Sequence, residues 1–142
     1  MPFVLDTDHL SVLLWQEQPA CDRLRARLQQ LPPDDLATTI VSFQEQVQGW
    51  LAYLNRARKP EHIVRAYAEL EVVGRTFLRI PVLPFSSAAQ ERFAALRHEC
   101  PRLQTMDLRI ASIALVTQAT LLSRNLRHFR RVPGLTVQDW TV

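Results

Sequence analysis

The chain has 142 residues, 47% of them hydrophobic and 22% charged, which suits one globular domain with a sizeable core and excludes a disordered polymer. Its formal charge of +3 and sequence pI near 9.4 permit a polyanionic partner without demanding one. The longest apolar runs, TTIV and IASIALV, are too short to cross a bilayer, and MPFVLDTDHL places no basic stretch ahead of an apolar one. A cytoplasmic protein with no membrane contact is therefore expected.

In chain order, PFVLD is an apolar run that stops abruptly at a carboxylate and reads as a first strand. TDHLSVLLWQ and CDRLRARLQQL carry leucines at helical spacing, and Pro32-Pro33 ends the second helix. Cys21 and Cys100 stand apart, without CxxC spacing, and read as free, partly buried thiols in a reducing compartment. LATTIV is rich in β-branched residues and predicts a second strand through Val41. SFQEQVQGWLAYLNRAR and, after Pro60, EHIVRAYAELEVVGRTF predict two helices joined at RKP, a hairpin over 42–77. PVLPF is a third strand, and SSAAQERFAALRHEC a helix capped by Ser86 or Ser87. MDLRIASIALVTQA is apolar nearly all round and should be a central, buried helix. ATLLS is a fourth strand, RNLRHFRR a basic turn or short helix, and LTVQDW a last strand. Strands alternating with helices imply an α/β sandwich around a mostly parallel sheet, whose functional crevice lies beyond the carboxyl ends of its strands.

Three of the fourteen carboxylates lie at the margin of apolar segments: Asp6 after FVL, Glu45 after TTIVSFQ, and Asp107 opening the apolar helix. Charges there are costly unless compensated, and acids gathered in one crevice raise one another's pKa. A divalent cation with oxygen preference relieves both problems. Each acid also has a purely structural explanation. Asp6, Thr7 or Asp8 can cap the first helix, and Ser42-x-x-Glu45 matches a capping box. Asp107 suits the positive end of its helix, with Thr105 as cap.

The sequence resembles the PIN-domain nucleases, and within them the VapC-type toxins of toxin–antitoxin pairs. Four blocks carry the resemblance: LDTDHLS, SFQEQVQG, MDLRIASIAL and LLSRNLRHFRRVPGLTVQDW, together running from Pro2 to Trp140. The second block departs slightly, with Phe43 and Gln46 where leucine-like residues are common in the family. The resemblance implies a three-layer α/β/α sandwich over 1–142, with a short sheet and a protruding helical hairpin. It makes Asp6, Glu45 and Asp107 metal-binding and catalytic, for Mg²⁺ or Mn²⁺. Asn125 takes a fourth position, where many members have Asp, and Ser123 and Thr7 support the site.

The implied activity is that of an endoribonuclease, hydrolysing RNA by in-line attack of water to leave a 5′-phosphate. Arg124, Arg127, Arg130 and Arg131 lie beside the site in sequence and would hold the RNA backbone, although a solvated basic turn explains them equally well. The resemblance also implies a VapB-like antitoxin as partner and a homodimer, with the 42–77 hairpin as a contact region. His9 and His128 match no zinc spacing and read as packing or surface residues. Two alternatives remain. Asp6-Thr7-Asp8 mimics the D-x-D motif of a haloacid-dehalogenase-like phosphatase, which also needs a later lysine, and Lys59 is the single one. A PIN-like module could also bind RNA or protein without cutting.

Overall fold

The computed structural model of the chain describes residues 2–142. The run after Pro2 forms strand β1 (Phe3–Leu5), and helix α1 (Thr7–Trp15) follows at once. Asp6 makes that abrupt change possible: its backbone is extended, and its side chain accepts the Thr7 amide as the helix N-cap. Helix α2 (Ala20–Leu28) and a 3₁₀ turn at Pro33–Asp35 lead into β2 (Leu36–Thr39).

Here the sequence reading needs correction. The second strand stops at Thr39, not Val41, and helix α3 (Ile40–Arg56) begins two residues before Ser42. Thr39 Oγ1 accepts the Ser42 amide at 3.0 Å, so Thr39 is the cap and no Ser42–Glu45 capping box forms. Capping chemistry at Thr39 outweighs the β preference of Ile40 and Val41. Helix α4 (Pro60–Arg79) starts with Pro60 in its first turn, where a missing N–H costs nothing. The hairpin α3–α4 thus spans 40–79.

Strand β3 (Val82–Leu83) is short because Pro84 follows and cannot donate to a ladder. Ser86 caps helix α5 (Ser87–Glu99), accepting the Ala89 amide. Helix α6 (Thr105–Val116) takes Thr105 as its first residue; the cap is Gln104, which offers no side-chain bond. Strand β4 (Thr120–Leu122), the short helix α7 (Leu126–Phe129) and β5 (Val137–Gln138) complete the chain. The turn into β5 needs Gly134, whose φ of +79° lies in the left-handed region.

All neighbouring strands are parallel, in the order β3-β2-β1-β4-β5. Side chains alternate across the sheet as the pleat requires. Val4 and Leu121 pack with Leu96 of α5, with Leu108, Ile110 and Ile113 of α6, and with Phe129 of α7. Leu5 and Leu122 face the other way, onto Leu10 of α1, Leu24 of α2, Trp50 of α3 and Phe77 of α4. Helices therefore cover both faces, giving the three-layer α/β/α architecture, and α6 is buried as its composition requires. Cys21 and Cys100 are free and buried. Among the described residues no helix is long and apolar enough to cross a membrane.

The connection leaving β1 runs to β2 on one side, whereas β4 lies on the other. The junction of β1 and β4 is thus the switch point of the sheet, where an open parallel sheet splays its loops and leaves a crevice.

Candidate active site

Leu5 of β1 is in register with Leu122 of β4, so the residues that follow them, Asp6 and Ser123, emerge side by side at the switch point. Ser123 Oγ lies 2.8 Å from Asp6 Oδ2 and 3.0 Å from Asp8 Oδ2, tying the two acids together. The same oxygen accepts the Asn125 amide at 3.0 Å, which sets the path of the chain into α7. Ser123 is fully buried and Asp6 is 5% exposed.

Glu45 arrives from α3, half-buried, and accepts a 2.7 Å hydrogen bond from the Thr7 hydroxyl. Ser42 Oγ lies 3.2 Å from that hydroxyl and also from Thr39 Oγ1, so a hydroxyl cluster joins the ends of β1 and β2. Asp107 stands in the first turn of α6, half-buried, with His128 as a neighbour. The side chain of Asn125 makes no hydrogen bond among the described residues and is half-exposed beside the crevice.

The acids have abnormal proton affinities for the reasons expected of a crowded crevice. Burial, then the nearby Asp8, push the Asp6 carboxyl up to about 8, against the opposing pull of its Ser123 and Thr7 hydrogen bonds. Burial raises Glu45 too, with Asp107 and Asp8 adding to it while Thr7 opposes. Asp107 is raised first by burial, offset by His128 and reinforced by Asp8. The three expected acids therefore share one electrostatic environment, and Asp8 belongs to it as well.

The resemblance gives Asp8 no place in the metal site; in the sequence it reads as a helix-capping acid or as the second acid of the D-x-D alternative. It holds the site's wall: Arg124 N donates to it at 3.0 Å, and His9 Nδ1 lies 2.8 Å from its Oδ1. His9 is fully buried, and its Nε2 accepts the Trp140 amide at 3.1 Å. An amide can only donate, so the His9 proton resides on Nδ1 and is given to Asp8. His9 is thus a packed residue with a defined hydrogen-bonding role.

The arginines divide into two groups. The Arg124 guanidinium is held by Glu17 at 3.1 Å and by Thr141, so its contribution to the crevice is its backbone amide. Arg127, Arg130 and Arg131 are exposed and make no ion pair among the described residues.

The donor set fits a hard divalent cation: oxygen atoms only, three carboxylates that prefer a counter-charge, and a buried hydroxyl orienting the most buried of them. Among the described residues no three His, Cys, Asp or Glu side chains are placed to hold a metal ion together. Mg²⁺ needs no such cluster, because it uses only one or two direct carboxylates and fills its octahedron with water.

A sequence pattern of the PIN domain matches residues 3–135. The chain belongs to the PIN domain family. Its relatives within that family include VapC ribonucleases. It is 27% identical to the tRNA(fMet)-specific endonuclease VapC of Shigella flexneri over 145 residues, covering 99% of each chain. It is 32% identical to Ribonuclease VapC2 of Rickettsia felis over 66 residues, which is 44% of this chain and 49% of that one. The fold is similar to that in VapBC-1 from nontypeable Haemophilus influenzae, with a TM-score of 0.80, 22% identity and full coverage of both chains. DNA-bound VapBC from Salmonella typhimurium gives 0.78 at 24% identity, covering 99% of this chain and 98% of that one. The phosphatase alternative falls with the family assignment. Geometry agrees, because Lys59 lies beyond the far end of α3, which is roughly 17 Å along the helix from Glu45.

The raised carboxyls predict a pH-dependent response to metal in this PIN domain. An acid whose pKa rises on folding, as Asp6 does from 3.8 to about 8, binds its proton more tightly in the folded state. Its stabilising effect is complete below the unfolded value and is lost as pH rises toward the folded one. A cation bound only to the folded form offsets that loss. The increase in Tm on replacing EDTA with Mg²⁺ should therefore grow as pH is raised from about 5 to about 8. A metal-induced shift independent of pH would contradict this account.

Proposed function

We propose that this PIN domain is a Mg²⁺- or Mn²⁺-dependent endoribonuclease acting in the cytoplasm, and the toxin of a toxin–antitoxin pair. The observation that carries the reading is the single acidic crevice at the β1–β4 switch point, where Asp6, Glu45 and Asp107 share one field under a PIN fold. Asp6, Glu45 and Asp107 would hold the cation, with Asn125 beside them as a neutral fourth position. When bound, the cation would acidify water and polarise the phosphoryl group.

The chain's own residues do the rest. Ser123 orients Asp6, Thr7 orients Glu45, and the His9–Asp8 pair fixes the wall between them. Arg127, Arg130 and Arg131 offer cations to the RNA backbone without reading sequence. No nucleophilic side chain is needed, since water is the attacking group. The VapBC complexes that share this fold support a VapB-like antitoxin as partner; a homodimer is part of the proposal. A basic side chain of such a partner would compensate the carboxylates as the metal does, so partner and metal compete.

The test is cleavage of RNA by the purified chain with Mg²⁺ or Mn²⁺, with EDTA, and after addition of the protein encoded beside it. Cleavage should need the cation and leave 5′-phosphate ends. The complex should be inhibited, and truncating the partner's basic tail should restore cutting. Full activity in excess EDTA would overturn the mechanism, and a pair cutting as fast as the free chain would overturn the mode of inhibition.

A further inference from the structure

A groove of about 290 Å³ opens directly from the acidic crevice, sharing Thr7 and Glu45 with it and running between α1 and α3 to Arg56. Its walls are aromatic. Trp15 is 58% exposed although Trp50, 6.0 Å away between ring centroids, is buried. Exposing the largest apolar side chain beside a charged site needs a reason, because core packing does not use that face. The groove is not wholly apolar. The Gln46 amide donates to Ser11 Oγ at 2.8 Å, which leaves the Ser11 proton and the Gln46 carbonyl as a donor and an acceptor at the wall. The far end is cationic: Arg56 lines it, and the Arg65 guanidinium lies over Trp50 and Tyr53 at 5.7 and 5.9 Å.

We propose that this groove is a nucleobase subsite, in which an unpaired base of the RNA near the scissile phosphate stacks on Trp15 and pairs with Ser11 and Gln46, while Arg56 holds a neighbouring phosphate. The inference rests on the ribonuclease reading. It adds the place where an unpaired base would sit and a source of sequence preference. Each element matches a general need of single-strand recognition: a flat aromatic face, a cationic track and a few polar atoms to discriminate edges. An apolar peptide segment would use the aromatic wall equally well, but it would gain little from two arginines and a hydrogen-bonding pair. Charge complementarity therefore favours RNA.

Gly49 permits a test that separates binding from folding. It lies on the groove, and a Cβ there would meet nothing within 4 Å. Gly49→Leu should thus fill the groove while strengthening α3, since Leu is a far better helix former than Gly. In the full chain carrying Asp107→Asn to slow cleavage, single-stranded RNAs with 5-iodouracil at successive positions are cross-linked by light and their affinities measured. We expect cross-links to Trp15 from one position of the RNA. Trp15→Ala and Gly49→Leu should each weaken binding about ten-fold, with Trp15→Phe retaining most of it. Gly49→Leu should also raise Tm.

Cross-links confined to the arginine turn, with affinity unchanged in Trp15→Ala and Gly49→Leu, would overturn the subsite. Unchanged RNA binding combined with loss of the partner protein would overturn it too and assign the groove to that partner. If the wild-type chain cuts no RNA yet cross-links at Trp15, the subsite is supported while the nuclease reading fails.

Discussion

Asp6→Asn should lower metal-dependent RNA cleavage by about a thousand-fold while making the metal-free protein more stable at neutral pH and above. The two effects share a cause. The ionised Asp6 carboxylate is unfavourable in the fold, held up by burial and by Asp8, and only a counter-charge makes it comfortable. Asn keeps the shape and removes the charge. Its Oδ1 can still accept the Thr7 amide, and its Nδ2 can donate to Ser123 Oγ, whose own proton then goes to Asp8. The structural role of the residue as a helix cap survives, and the metal-binding role proposed for it does not. Glu45→Gln and Asp107→Asn should also lose activity, with smaller gains in stability because both are only half-buried. Melting curves in EDTA at pH 8, set beside cleavage rates in Mg²⁺, decide the matter. An Asp6→Asn protein that is no more stable than wild type in EDTA would show that the ionised Asp6 carboxylate does not oppose folding.

The parts of this molecule visible in the sequence are those set by local chemistry. An apolar run ending in a carboxylate placed Asp6 at a strand end, and an all-round apolar stretch marked α6 as buried. Alternating strands and helices gave the sandwich, and the four motif blocks gave the family. What the sequence concealed are pairings across long separations. His9 and the Trp140 amide meet 131 residues apart, and Arg124 meets Glu17 across 107. Composition marks Arg124 as one more RNA-facing arginine, but tertiary contact commits its guanidinium to Glu17. Asp8 looks like a spare capping acid until β4 delivers Ser123 and the Arg124 amide to it. The handover at Thr39 was hidden for a different reason. Ile40 and Val41 favour a strand on propensity, and the cap that turns them into a helix is a single hydroxyl.

The opposite signature is expected from the core. Ile113 is fully buried on α6, where it packs against the sheet face that carries Val4 and Leu121. Ile113→Ala removes buried methyl groups and leaves a cavity that a sheet of two- to four-residue strands cannot easily close, at a cost of about 3 kcal/mol. For a chain of this length that corresponds to a fall in Tm of about 10 °C, a large share of a typical total stability of about 5–15 kcal/mol. Asp107 sits at the other end of the same helix, in its first turn and at the crevice mouth, where its position is set by the turn after Gln104 and by its neighbour His128. Cleavage measured well below the lowered midpoint should therefore stay within a few-fold of wild type. Denaturant midpoints and low-temperature rates on the same preparations test both halves. A protein whose midpoint is unchanged would place Ile113 outside the core. One that loses cleavage as fully as Asp6→Asn while still folded would show that α6 packing itself sets the position of Asp107.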